Sequence, residues 1–452
     1  MNAEWQTVAI GSLCLGIFDG PHATPKKTSS GPIFLGISSL NNGQLDLSKT
    51  EHLSEDDFIK WTRRVVPQAG DIVFSYETRL GQVAVIPEGL RCCLGRRMAL
   101  MRVDPAKIIP DYLLYAYLSP EFQEIIRKRT IHGSTVDRIP LIEFGSFPIS
   151  VPPLDVQREI VGTLRALDDR IALLRETNTT LEAIAQALFK SWFVNFDPVR
   201  AKAEGLEPEG MDATTAALFP DGFEESGQGG VVPRGWKMST LGAICELNGG
   251  VIQTGPFGSQ LHASDYVAEG VPVVMPKDIS GRRVDPTTAA RILPKDADRL
   301  SRHQLCGGDI VFSRRGDVEK HALIGDVERG WLCGTGCLLV RPGALRNVSG
   351  YLSRSLDLQQ TKQWLTQHAV GATMPNLNTG ILSAVPILLP ADEVLASFER
   401  VASVFDERIS ESNATAQILT ELRDTLLPRL ISGQMRLPET EVSLENMLSE
   451  AI

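Results

Sequence analysis

Five polar side chains stand just after a hexapeptide that this chain uses twice. Gly70-Asp71-Ile72-Val73-Phe74-Ser75 is followed by Tyr76, Thr78 and Arg79, and the same six residues at Gly308–Ser313 are followed by Arg314 and Arg315. These types suit the edges of nucleic-acid bases: an arginine fork donates twice to guanine, and an Asn or Gln amide donates and accepts at adenine. Lys277, Asp278, Asn376 and Asn378 extend the set in the second copy, and Arg96 and Arg97 offer charge to phosphates in the first. Ser75, Ser313, Thr135 and Thr373 recur at equivalent places. They suit phosphate contacts or caps, because backbone is the same whatever the bases are.

Other chemistry finds no support. There is no G-x-x-x-x-G-K-[ST] phosphate loop, dinucleotide G-x-G-x-x-G, H-E-x-x-H or G-x-S-x-G. Cys333 and Cys337 sit four apart without a second pair to complete a zinc site. His132 and His321 read as ordinary loop or surface residues, and Asp71 and Asp309 as turn residues. Asn195-Phe196-Asp197-Pro198 lacks the second proline of the Asn-Pro-Pro-aromatic element of adenine methyltransferases. The chain reads as non-catalytic and as binding no cofactor or metal.

Stepping outward from the hexapeptide, four matches recur in one order at one displacement, 238 residues. They are Gly70 with Gly308, Gly133 with Gly371, Pro152 with Pro390, and Asp168 with Asp406. A single match means little, but four point to duplication. Looser matches pair Trp5 with Trp236, and the stretch 34–43 with 273–281. Short β-rich runs with Gly and Pro turns, and short helices near 110–129 and 350–368, predict α+β units at 1–150 and 232–390.

Each unit is followed by helical spacing. Leu164, Leu167, Ile171, Leu174, Leu188 and Phe189 lie on one face, as do Val401, Phe405, Ile409, Leu422, Leu426 and Leu430. Each stretch predicts a helix about 60 Å long. A long amphipathic helix has to bury its stripe, and the economical solution pairs the two as an antiparallel coiled coil. The alternative has each helix packing only on its own domain. The predicted domains are 1–150, a helical region 151–199, an acidic Gly/Pro-rich linker 200–231, a second unit 232–390, and a helical region with tail 391–452.

The chain has 452 residues and a formal net charge of -10, which by itself argues against nucleic acid. The distribution weakens that argument: 91–102 holds four arginines and no acid, while 201–229 holds seven acids and only Lys202 as a base. No apolar run approaches a membrane span, no secretory signal opens the chain, and seven cysteines are no disulfide framework. A cytoplasmic setting is the expectation. Two diverged modules on a rigid spacer suit a long ligand read at two places, and duplex DNA repeats its face about every 34 Å.

Several stretches carry a family resemblance. They are Leu188-Phe189-Lys190-Ser191-Trp192-Phe193-Val194-Asn195-Phe196, Leu218-Phe219-Pro220-Asp221, Pro233-Arg234-Gly235-Trp236, Thr254-Gly255-Pro256-Phe257-Gly258-Ser259 and Leu427-Pro428-Arg429-Leu430-Ile431-Ser432-Gly433. In this order, on a duplicated architecture, the chain resembles the specificity subunit of type I restriction-modification systems. The resemblance implies two target recognition domains, each reading one half of a bipartite double-stranded DNA target. It implies Phe257, Gly258 and Ser259 as a contact loop, and Trp192 and Phe193 within the conserved helical region. The first unit lacks the G-P-F-G-S run, so no equivalent loop is assigned to it. Two modification subunits with S-adenosylmethionine would methylate adenine, and restriction subunits with ATP and Mg would translocate and cleave; no membrane is involved. The rival reading is a coiled-coil scaffold that binds protein without reading DNA.

Overall fold

The computed structural model describes residues 5–435 other than 49, 134, 135, 227–229, 346 and 372; Thr135 therefore lies outside the described residues. The chain forms two compact units, Met1–Leu173 with Ala416–Ile452, and Leu174–Thr415.

In the first unit the strands are β1 (Cys14–Asp19), β2 (Lys27–Leu35), β3 (Glu51–Leu53), β4 (Ile72–Ser75), β5 (Val83–Val85), β6 (Cys92–Leu94) and β7 (Met98–Val103). The main sheet has the order β1-β7-β4-β5 and is antiparallel throughout, while β3-β2-β6 forms a smaller sheet in which β2 and β6 run parallel. All four residues of β4 are buried, so both faces of this central strand are covered, as its unbroken apolar run requires. Helix α1 (Pro110–Leu118) packs beside β5, with proline in its first turn and Ser119 closing it.

The second unit repeats this plan with β8 (Gly249–Thr254), β9 (Val271–Val274), β10 (Ile310–Ser313), β11 (His321–Leu323), β12 (Leu332–Cys333) and β13 (Cys337–Gly343). Its main sheet has the order β8-β13-β10-β11, and β9 runs parallel to β12 in a second sheet that gains Tyr266–Val267 as a fourth strand. Helix α3 (Ser349–Asp357) stands where α1 stands in the first unit. A two-stranded ribbon joins the ends of each module: Gln6–Ala9 with Pro148–Val151, and Lys237–Thr240 with Pro386–Leu389.

The long helices begin just beyond those ribbons, α2 at Leu154–Lys190 and α4 at Asp392–Ile431. Prolines at 152, 153 and 390 keep the preceding residues extended, which sets the helix starts. A π-turn at Ser191–Asn195 and the left-handed Phe196 (φ 59°) end α2; the left-handed Gly433 (φ 74°) follows α4. In the first unit Trp5 covers Gly433 and donates its indole N–H to the Ile431 carbonyl at 2.7 Å. In the second unit Trp236 lies on Phe196, with ring centroids 5.9 Å apart. The two tryptophans matched by sequence thus cover the two helix ends.

Within the second unit α2 and α4 run antiparallel: Asn178 Nδ2 donates to Asn413 Oδ1 at 2.8 Å, and Phe189 meets Phe398 at 5.9 Å. Within the first unit Arg423 of α4 donates to Asp168 of α2 at 2.8 Å. Segment 200–231 is anchored: Phe219 is buried edge-on against Trp192 at 5.0 Å, and Phe223–Glu225 pairs with Val231–Pro233.

Candidate nucleic-acid interface

In an antiparallel sheet a central strand begins where its neighbours end. β7 sets Ala99 opposite Asp19 and Met98 opposite Ser75. Hence the loops after β1, after β4 and before β7 all leave one end of the first sheet. β13 does the same in the second unit, with Leu338 opposite Thr254 and Cys337 opposite Ser313. Sheet register, not sequence proximity, brings these polar loops together.

The repeated hexapeptide fixes both ends of its strand, with the aspartate at the start and the serine at the end from which these loops leave. Asp71 accepts from Arg102 Nε at 2.9 Å and Nη2 at 2.7 Å, and from the Gln68 N–H at 2.8 Å. Asp309 accepts from Arg341 at 2.9 and 2.6 Å and from the Cys306 N–H at 2.8 Å. Both aspartates are buried turn residues, as expected, and each is satisfied by a bidentate arginine. Ser75 donates to the Glu77 carbonyl at 2.9 Å, Ser313 to that of Arg315 at 3.0 Å, and both serines are fully buried. The fold spends them on capping the turn.

After the serine, both copies pair with a second loop in one pattern. Glu77 bridges Arg138, and Arg315 bridges Asn376. The Thr78 N–H donates to Asp137 O at 3.2 Å, and the Gly316 N–H to Pro375 O at 3.0 Å. Thr78 and Gly316 share a left-handed backbone, φ 71° and 76°. The backbones match, whereas the side chains differ at nearly every position.

In the first unit Thr78 is exposed and its hydroxyl accepts from Arg97 Nη1 at 3.0 Å. Arg79 is exposed and donates to the Ile37 carbonyl at 3.1 Å; Arg96 is exposed as well. Tyr76 is buried, with its hydroxyl donating to the Arg96 carbonyl at 3.1 Å. Burial, aided by the Glu77 and Asp19 carboxylates, pushes its pKa up to about 12. Tyr76 therefore supports Arg96 from beneath, and the exposed set is Thr78, Arg79, Arg96 and half-buried Arg97.

In the second unit Arg315 is exposed and Arg314 half-buried, and neither Arg314 Nε nor Asn376 Oδ1 has a protein partner although both atoms are buried. Asn378 caps the helix Thr379–Ser383 by accepting from the Ile381 N–H at 2.8 Å, and Thr373 is exposed. Lys277 is exposed and reaches the Thr288 carbonyl. Asp278 is fully buried, accepting from the Met275 N–H at 2.9 Å and the Thr288 hydroxyl at 2.7 Å. Its role is to hold the loop that carries Lys277. Phe257, Gly258 and Ser259 are all exposed. A Cβ on Gly258 would meet nothing within 4 Å, so packing does not demand glycine there.

Sequence reasoning missed the matching loop of the first unit. A Cβ on Gly255 would lie 1.9 Å from the Gly334 carbonyl oxygen, and one on Gly20 would lie 2.4 Å from that of Gly95. The Gly255 N–H donates to Cys337 O at 3.0 Å, and the Gly20 N–H to Met98 O at 2.8 Å. Gly20-Pro21-His22 is therefore the counterpart of Gly255-Pro256-Phe257, and the shared Gly-Pro dipeptide was the available signal. His22 is exposed and pairs with Asp19 at 3.1 Å, and Asp19 also binds Arg64.

Of the predicted helix residues, Leu164, Leu167, Ile171, Leu174, Phe189, Trp192, Phe193, Ile409, Leu422, Leu426 and Leu430 are buried, and Leu188 and Phe405 are half-buried. Val401 points outward, and its neighbour Ala402 takes the buried position. Polar clamps also hold each module on a long helix. In the first unit Asp168 accepts from the Tyr115 hydroxyl at 2.7 Å as well as from Arg423. In the second, its repeat equivalent Asp406 accepts from Arg354 at 2.9 and 3.0 Å and from Arg283 at 2.8 Å. Arg282 pairs with Glu182 and donates to the Ser353 hydroxyl at 3.1 Å. Glu399 accepts from the Tyr351 N–H at 2.6 Å at the start of α3.

Among the described residues no group of three or more His, Cys, Asp or Glu could hold a metal ion, and no helix is long and apolar enough to cross a membrane. Cys333 and Cys337 are buried and free. The first sheet end carries arginines and a threonine hydroxyl and the second carries arginines and asparagine amides, groups that can donate to and accept from base edges and phosphates.

The family profile for the type I restriction modification DNA specificity domain matches twice, at residues 2–183 and 233–419. The chain is 28% identical over 369 residues to the type I restriction enzyme HindI specificity subunit of Haemophilus influenzae, covering 73% of this chain and 78% of that one. It is 22% identical over 379 residues to the type I restriction enzyme MjaIX specificity subunit of Methanocaldococcus jannaschii, covering 83% and 80%. The crystal structure of a type I restriction-modification system S subunit from M. genitalium shares the fold, with a TM-score of 0.60, 17% identity and coverage of 95% and 96%. The chain belongs to the type I restriction modification DNA specificity family.

Proposed function

We propose that this chain is the non-catalytic specificity subunit of a type I restriction-modification complex and reads a bipartite duplex target, one recognition module per half-site. The observation that carries the reading is the pair of turns at 76–79 and 314–317, alike in backbone and different in side chain. A shared framework with diverged donors is what two different base sequences on one kind of duplex require. Thr78, Arg79, Arg96 and Arg97 would face one half-site, with the 20–22 loop beside them. Arg314, Arg315, Asn376, Asn378, Lys277 and the 257–259 loop would face the other, while Tyr76 and Asp278 support these loops.

The modules are 1–150 and 232–390, joined through 151–199 and the 200–231 segment and followed by 391–452. The long helices act as an antiparallel coiled coil that spaces the modules, a reading supported by the Asn178–Asn413 and Asp168–Arg423 contacts. Two modification subunits dock on this chain, each bringing S-adenosylmethionine for adenine methylation. Restriction subunits, using ATP and Mg, complete the assembly.

The test is to co-express the chain with its modification partner and map methylated adenines across a genome. A gapped two-part motif supports the reading; an active partner without any motif refutes it. Exchanging residues 1–150 should change one half of that motif only.

A further inference from the structure

The polar loops of the second module carry two large apolar side chains that its fold does not use. Phe257 is 60% exposed and Met374 is 61% exposed. A single exposed apolar residue needs no explanation. These two are distinguished by where they stand and how firmly they are held. The Phe257 loop leaves the sheet end that also gives rise to Arg314 and Arg315, and Met374 lies in the hairpin that bridges Arg315 through Asn376.

Both loops are tied in place. Gly255 is pressed against the Gly334 carbonyl, Pro256 is buried, and the Phe257 N–H donates to Gln260 Oε1 at 3.0 Å. The Gln260 N–H returns a bond to the Phe257 carbonyl at 2.8 Å, and Arg299 binds the Gln260 carbonyl at 2.9 Å. The left-handed Gly371 (φ 111°) packs on the Met374 carbonyl, and the next residue, Pro375, accepts from Gly316. With these backbone positions held, less backbone entropy remains to be lost when the two side chains meet a partner.

The first module lacks both features. His22, polar and paired with Asp19, stands where Phe257 stands, and half-buried Val136 takes the place of Met374. Ile131 and Val370 are exposed at the hairpin base in both copies and so do not distinguish them.

We propose that Phe257 and Met374 form an apolar wedge that inserts at a base step and bends the half-site read by the second module, while the first module reads its half without such distortion. This rests on the duplex-reading function above. Apolar side chains entering between base steps unstack them, and the cost is offset by the surface the bend brings into contact. Flexible pyrimidine–purine steps yield most easily, so the second half-site gains a preference at a position with no hydrogen-bonded base contact.

The experiment uses the full chain in complex with its modification partner, bound to its mapped target with fluorophores flanking one half-site or the other. The second module's half is the one left unchanged when residues 1–150 are exchanged. Bending is expected in that half only, lost in the Phe257→Ser, Met374→Ser double variant and largely kept by Phe257→Leu with Met374→Leu. The serine variant should bind intact duplex about tenfold more weakly and recover most of that loss on a duplex with a mismatch at the unstacked step. Bending that is equal in both halves, or unchanged by the serine pair, overturns the wedge while leaving the duplex reading intact. Absence of any gapped methylation motif overturns both.

Discussion

Thr78 and Gly316 occupy one position in two copies of the same turn, at φ 71° and 76°. Glycine adopts this conformation freely, whereas a β-branched residue is strained there by about 1–2 kcal/mol. The first module bears that strain and gains a hydroxyl that holds Arg97. Thr78→Gly should raise its thermal midpoint, consistent with about 1 kcal/mol of relief, while loosening Arg97 and degrading one half of the methylation motif. Gly316→Thr should lower stability by a similar amount, since a Cβ there meets no neighbour and only the backbone objects. Thermal unfolding of both variants checks the pair.

Arg315 is exposed on the bridged turn of the second module. Arg315→Ala should relax discrimination in one half of the target by about 1–3 kcal/mol per lost bidentate contact. The other half should be unaffected. Genome-wide methylation mapping reads both halves at once, and equal loss in both would contradict the assignment.

Arg354 is fully buried, and its guanidinium finds both oxygens of Asp406. Arg354→Ala leaves that carboxylate with Arg283 alone and should cost about 3–5 kcal/mol, as for other broken buried pairs. Asp168→Asn in the first unit should cost less, because Asp168 and Arg423 are partly in water. Urea unfolding of the two variants compares the clamps.

Two buried groups of the second unit give opposing pH responses. Burial lifts the Glu399 carboxyl from 4.5 to about 7, so the folded state holds a proton the unfolded chain has lost, and stability falls as pH rises across that window. Burial, with the Arg282 charge beside it, lowers His321 from 6.5 to about 4. The unfolded chain then holds the extra proton, so stability rises with pH between about 4 and 6.5. The slopes oppose each other where they overlap, and the wild-type profile should be shallow there. Glu399→Gln should unmask the rising limb and His321→Gln the falling one, as read from unfolding midpoints between pH 4 and 8.

Much of the framework was legible because it rests on periodicity and repetition. The strand at Ile72–Ser75, its twin at Ile310–Ser313, and the stripes of α2 and α4 were readable from spacing alone. The stripe misled at Val401, where helical spacing admits either of two adjacent apolar residues and the smaller Ala402 is the one that faces inward. Tyr76 and Asp278 looked like base-contacting loop residues because they are polar and follow strands. Each instead satisfies backbone groups beneath a loop, a role that depends on atoms distant in sequence.

Residue types and their order by themselves pointed to two α+β regions with a shared strand alternating with two long amphipathic helices, and to polar residues beside that strand. Those properties are local, written in periods of two and of three to four and in a fixed displacement. Only the tertiary structure decided which loops share a sheet end, because antiparallel register places the end of β1 beside the start of β7. It alone showed Gly20-Pro21-His22 as the partner of Gly255-Pro256-Phe257, where backbones press together too closely for a side chain. It alone revealed Arg282 and Arg354 as buried, since the carboxylates that make burial tolerable come from helices far along the chain.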